Sequence, residues 1–178
     1  ARAATDAGLN YSVADAQDLP FDDGSFDCVI ANHMLYHVPD IAQTLAEVAR
    51  VLKPGGGLMA ATNGANYMLD LDQLLTEFWP AYGGLHTMSL KFNLENGAYQ
   101  LRQWFGQVEK KLYSGDLWVT EALPLVDYVF STPRVQQLIP LDQREPMRAF
   151  FQARINRSGG ILIHKETGLF LANQPKKV

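Results

Sequence analysis

The chain has 178 residues, 47% hydrophobic and 19% charged: enough apolar material for one domain of ordinary size, and too much for global disorder. Its 15 Lys and Arg against 19 Asp and Glu give a net charge of −4, which argues against a broad nucleic-acid-binding surface. The longest apolar runs, such as Cys28–Ala31, fall far short of the roughly 20 residues needed to span a bilayer. Ala1–Thr5 lacks the charged-then-apolar pattern of a secretory leader. Cys28 is the sole cysteine, so a reducing, cytoplasmic setting is expected. His33 and His37 stand four apart with no third ligand evident nearby, and no metal site is expected.

Along the chain, Tyr11–Ala14 is a short strand candidate, and Asp22-Asp23-Gly24-Ser25 is a turn signal. Phe26–Ala31 is a nearly continuous apolar run, expected to form a strand buried on both faces, as in a parallel sheet. Asp40 is a good N-cap with Gln43 three residues on, as in a capping box. Ile41, Leu45, Val48 and Leu52 then repeat at helical spacing. Arg50 and Lys53 suit the helix C-terminus, and Pro54-Gly55-Gly56-Gly57 stops it. Leu58–Thr62 is a second buried strand ending at Asn63-Gly64, which predicts a right-handed βαβ unit. The glycine run follows a helix and precedes a strand, the wrong context for a phosphate loop.

Ala65–Phe105 is rich in aromatics and is expected to hold two or more helices, broken at Pro80 and Gly83-Gly84. Val108–Tyr113 is a strand candidate. Thr120 is expected to cap a helix reaching about Phe130, and Asp142 with Glu145 to cap another carrying Met147, Phe150, Phe151 and Ile155. Ser158-Gly159-Gly160 ends that helix. Ile161–His164 and Leu169–Ala172, joined by Lys165–Gly168, are expected to form a terminal β-hairpin. Lys176-Lys177 is expected to be a solvated tail.

Several of these segments, taken in order, resemble a known pattern. Asp15-Ala16-Gln17-Asp18-Leu19-Pro20-Phe21, Gly24-Ser25-Phe26-Asp27, Leu35-Tyr36-His37-Val38 and Arg50-Val51-Leu52-Lys53-Pro54-Gly55-Gly56 resemble the UbiE-like class I S-adenosylmethionine-dependent methyltransferases. Phe92–Gly97, Phe105, Tyr113 and Tyr128–Ser131 are similar, more loosely, to the substrate half of such enzymes. The resemblance implies an α/β fold with a Rossmann-like, three-layer αβα sheet in a single domain over 1–178. It also implies a helical substrate cap over 65–106 and a C-terminal antiparallel hairpin. No Gly-x-Gly-x-Gly loop and no strand ending in an acidic residue precede Asp15, so the expected sheet is truncated at its N-terminus and starts just before the family's third strand.

By the same resemblance the cofactor is S-adenosylmethionine, with Asp15 accepting from the adenine amino group and the Ala16 backbone N–H reaching a ring nitrogen, Gln17 beside them. Asn32 lines the methionine end with His33 and Met34. His37 lies near the methyl-transfer face. Each residue also has a plainer reading: Asp15 as a turn cap, Asn32 as a strand end, His37 as a packed histidine. The expected reaction is in-line methyl transfer to a small-molecule acceptor, which asks mainly for alignment and exclusion of water. Rival readings are a methyltransferase fold that does not bind the cofactor unaided and, more remotely, a nicotinamide oxidoreductase. No nucleic-acid or membrane partner is expected, and a sheet edge left unpaired would invite a homodimer.

Overall fold

The computed structural model describes residues 9–83 and 91–176; the expectations at Ala1–Thr5, Gly84 and Lys177 lie outside them. Strands β1 (Phe26–Asn32) and β2 (Leu52–Asn63) flank helix α1 (Ile41–Val51) and pair in parallel, as the βαβ reading required. Asp40 accepts from the Gln43 N–H at 2.9 Å and so caps α1. The capping box is not reciprocal. The Gln43 side chain turns instead to the Gln17 carbonyl, and the Gln17 side chain takes the Asp40 N–H at 2.8 Å. Pro54–Gly57 does not end α1, which stops at Val51. The run lies inside β2, where the register jumps from Phe26↔Leu52 to Cys28↔Gly57. Gly55, at φ +84°, carries the bulge.

Beyond β2 come α2 (Leu69–Phe78), α3 (Gly97–Trp104), β3 (Phe105–Ser114) and β4 (Leu117–Val119), then α4 (Ala122–Ser131), α5 (Pro133–Leu138) and α6 (Arg144–Ser158). Strands β5 (Ile161–Ile163) and β6 (Glu166–Pro175) close the order. The main sheet runs β1-β2-β6-β3, with β6 antiparallel to both neighbours. β5 pairs with β4 in a separate two-stranded sheet. The expected terminal hairpin is therefore overturned: its two strands belong to different sheets, and each pairs with chain laid down far earlier.

Three local expectations are corrected. Tyr11–Ala14 is not a strand; no strand among the described residues lies beside it, and Val13 is fully exposed. β1 is not buried on both faces. Val29 and Ala31 turn toward the core, whereas Ile30 on β1 and Met59 on β2 are 63% and 41% exposed. Among the described residues α1 and α3 pack on the face of the sheet that carries this core. Finally, Thr120 does not cap α4, whose N-cap is Glu121, nor do Asp142 and Glu145 box α6, whose N-cap is Gln143. Glu145 pairs with Arg148 instead.

The buried side chains form two separate clusters. One lies between the sheet and its helices and holds Leu45, Val48, Leu58, Phe92, Leu101, Phe105 and Phe170. The other unites α2, α4, α5, α6 and β5 through Leu71, Leu75, Val126, Met147, Phe151 and Ile163. The 65–106 region divides between them. Leu71, Leu75 and Tyr82 join the helical layer, and Phe92, Leu94, Leu101 and Phe105 join the sheet.

Candidate functional site

In open α/β sheets, ligands bind outside the carboxyl ends of parallel strands. Two stretches reach that edge here. The first runs from Asp15 to Phe21. The Asp15 carboxylate accepts from the Gln17 N–H at 2.9 Å and from Gln17 Nε2 at 3.3 Å, which closes a tight turn, and Asp18 N–H donates to the Asp15 carbonyl at 3.1 Å. Oδ2 meets Gln17 Nε2 only at 3.4 Å, and Asp15 stays exposed. The turn-cap reading is thus realised, with an oxygen left toward solvent. Ala16, small and half-buried, leaves room beside it.

Gln17 acts as a strut. It ties the turn to the N-terminus of α1 through Asp40. The rest of the stretch is fastened by Arg50. The guanidinium donates to the Leu19 and Phe21 carbonyls at 3.0 and 2.8 Å and to the carboxylates of Glu47 and Asp23. Glu47 in turn accepts from the Leu19 N–H at 2.9 Å. Hydrogen bonding from Arg50 holds the Glu47 carboxyl below its ordinary range, against the opposing pull of its partial burial. The Arg50-Val51-Leu52 motif therefore places the loop that holds Asp15.

The second stretch leaves β1. Asn32 is exposed at the strand end, and His33 adopts φ +50° while its N–H extends the ladder to the Ala61 carbonyl at 3.0 Å. Met34 is half-buried, and its carbonyl accepts from the His37 N–H to close a short 3-10 turn over Leu35–His37. His37 is exposed, its ring 4.5 Å from that of Tyr36. The structure brings both stretches to the N-terminal end of α1, because Gln17 reaches Asp40 three residues after His37.

A group missed by the sequence reading stands over the same edge. Tyr36 follows β1, Tyr67 follows β2, and Tyr128 comes from α4. Burial, then the nearby phenols of Tyr128 and Tyr36, push the Tyr67 phenol up, and burial does the same to Tyr36. The Tyr128 hydroxyl meets Met68 Sδ at 3.5 Å. Asn63 Oδ1, at the end of β2, is buried without a partner among the described residues. Tyr36 and Tyr128 stood inside quoted motifs, but nothing local marks which of the chain's many rings converge. Tyr82, Phe92 and Phe105 prove to be core, and Tyr99 lies on the surface. Among the described residues no cluster of three His, Cys, Asp or Glu has the geometry of a metal site, and no helix is long and apolar enough to cross a membrane.

With this geometry in place, comparison with known proteins is informative. Residues 1–60 match the family model described as a methyltransferase domain. The chain is 49% identical over 49 residues to a ubiquinone/menaquinone biosynthesis C-methyltransferase of Desulfotalea psychrophila. That match covers 28% of this chain and 20% of the relative. Residues 1–60 are thus similar in sequence to the methyltransferase domains of this family. It is also 44% identical over 57 residues to the 27-O-demethylrifamycin SV methyltransferase of Amycolatopsis mediterranei, covering 32% of this chain and 21% of that one. The matched stretches thus span about a fifth of each relative. The methyltransferase fold extends further. A Bacillus halodurans protein provisionally assigned as a methyltransferase superposes with a TM-score of 0.57 at 18% identity, over 94% of this chain and 78% of that one. The YcgJ protein of Bacillus subtilis gives 0.51 at 15%, over 92% and 70%.

Proposed function

We propose that this chain is an S-adenosylmethionine-dependent methyltransferase acting on a small-molecule acceptor. The observation that carries the reading is the carboxyl edge of β1 and β2. Two anchored stretches of the family motif meet there beneath a group of tyrosines drawn from three elements. The bound cofactor would supply an electrophilic methyl group on a sulfonium. The residues present fit it: Asp15 keeps an exposed carboxylate oxygen for an amino group, Ala16 leaves space for a flat base, and Asn32, His33 and Met34 end the strand where the methionine part would lie.

This chain's own work is binding and alignment. Gln17 and Arg50 hold the Asp15 turn in place, which prepays the ordering of a loop that would otherwise cost affinity. Tyr36, Tyr67 and Tyr128 offer ring faces and neutral hydroxyls to an acceptor and exclude water from it. Asn63 Oδ1 is the buried acceptor available to an acceptor N–H or O–H. His37, exposed beside Tyr36, is the group placed to receive a proton where the acceptor must lose one. The predominance of acidic side chains supports a small acceptor over a nucleic acid.

Calorimetric titration with S-adenosylmethionine tests the reading. Saturable binding by the chain, weakened by about 1–3 kcal/mol in Asp15→Ala, is expected for a lost hydrogen bond to the adenine. Failure of the chain to bind would reject it as a self-sufficient methyltransferase. Equal affinity in the variant would remove Asp15 from the site.

A further inference from the structure

Between β2 and α2 the chain crosses the carboxyl edge of the sheet, and residues 64–70 divide that edge into two sides of different character. On one side lies a cleft of about 610 Å³. Asn66, Leu69 and Asp70 of the crossing border it; Tyr67 and Met68 do not. Charge is concentrated in that cleft, whose walls carry Asp70, Glu95, Asp116 and Glu166 together with Lys110 and Lys165. Three of the carboxylates are pinned there by backbone donors. Asp70 accepts from the His164 N–H at 2.8 Å, Glu95 from the Ala65 N–H at 3.0 Å and Asp116 from the Lys165 N–H at 3.0 Å.

The other side is built from phenols. Half-buried Tyr36 and Tyr67 meet there with Tyr128 of α4, whose hydroxyl rests on Met68 Sδ at 3.5 Å. The groups that act electrostatically on the Tyr67 phenol are those of Tyr128 and Tyr36, neutral at ordinary pH. Asp72 of the helical layer is buried and acts on Tyr82. An anion entering this crevice would shed water, and the ammonium groups of Lys110 and Lys165 lie in the cleft across the crossing. An ammonium is drawn to a ring face. Here, however, it would face the positive sulfonium of the bound cofactor, and the carboxylates of the cleft also lie across the crossing. A flat, neutral ring incurs neither cost and stacks on the phenols.

We propose that the acceptor is an uncharged aromatic molecule held against the rings of Tyr36, Tyr67 and Tyr128, and that this crevice discriminates against amines and phosphates. The inference rests on the reading of that edge as the acceptor site. Specificity comes from ring contact without a countercharge, and the crossing keeps the charged cleft apart from it.

The test is calorimetric titration of the full chain at neutral pH with three probes built on one ring system: 2-naphthol, 2-naphthyl phosphate and 2-naphthylmethylammonium. The neutral probe should bind about tenfold more tightly than either charged one. Tyr67→Leu, which keeps an apolar side chain and removes the ring, should weaken 2-naphthol about fivefold. Should that variant not fold, Tyr128→Leu, at a half-exposed ring, is read in its place. Equal or tighter binding of a charged probe, unchanged affinity in the folded variant, or no binding of 2-naphthol would each overturn the inference. S-adenosylmethionine is titrated separately into the same chain. A chain that selects 2-naphthol yet does not bind the cofactor keeps its neutral aromatic site and loses the methyltransferase reading. One that binds the cofactor without that selectivity loses only the acceptor class.

Discussion

Gly97 opens α3 at the point where that helix meets the centre of the sheet, and Gly97→Ala is a sharp test of the packing there. An added Cβ would lie 2.6 and 3.0 Å from two ring carbons of Phe170 and 3.0 Å from one of Phe92. Both rings are fully buried and packed edge to face at 5.9 Å between centroids. Phe170 is anchored on β6, between β2 and β3. The rings have no open space to turn into, so the strain falls on the α3–sheet spacing. Overpacking of this kind costs about 1–3 kcal/mol. Replacing glycine by alanine returns about 0.4–1 kcal/mol through the unfolded chain. The net is a loss of roughly 1–2 kcal/mol, or a fall in Tm of about 2–8 °C for a chain of this size. Urea denaturation followed by circular dichroism measures it. The control is Gly115→Ala, whose Cβ meets only Tyr113 at an ordinary 3.7 Å and should change stability by less than about 0.5 kcal/mol. Equal or greater stability in Gly97→Ala would refute the claim that this junction is close-packed.

Further expectations follow from individual contacts. Asp40→Ala removes the α1 cap and should cost about 1 kcal/mol in denaturant unfolding; Asp40→Asn, which can still accept from the Gln43 N–H, should cost less. Burial raises the phenols of Tyr36, Tyr67 and Tyr82, and the Asp72 carboxylate raises that of Tyr82 further. For groups raised on folding, stability is complete below the unfolded value near 10 and is lost as pH climbs through the folded values. The urea midpoint should therefore fall above pH 10, and Tyr82→Phe should flatten that fall; an unchanged slope would exclude Tyr82 as a contributor. At the other end, burial raises the Asp70 carboxyl, but the two hydrogen bonds from His164 outweigh it and leave the group lowered. Its share of stability is present above the usual carboxylate range and is lost as pH falls below it, so Asp70→Asn should soften the acid limb of the same measurement.

Features under short-range chemical control can be read directly along the chain. Helix α1, its Asp40 cap, the flanking strands and the motif segments from Asp15 to Gly56 are legible because a cap, a 3.6-residue period and a turn each depend on a few adjacent residues. The edge at Asp15 and Asn32, which the family resemblance marks for a cofactor, lies in equally short segments. Strand pairing and the convergence of distant side chains depend on how the whole chain packs. β6 pairs with β2 and β3 rather than with β5, since strand partners are chosen by burial and edge availability across the whole chain. Gln17, which reads as a ligand contact beside Asp15, spans 23 residues to brace Asp40. Tyr36, Tyr67 and Tyr128 meet although no local pattern links them, and Asp70 finds His164 94 residues away. Local propensity does not encode such encounters. They arise when each core packs, which brings side chains from distant parts of the chain together.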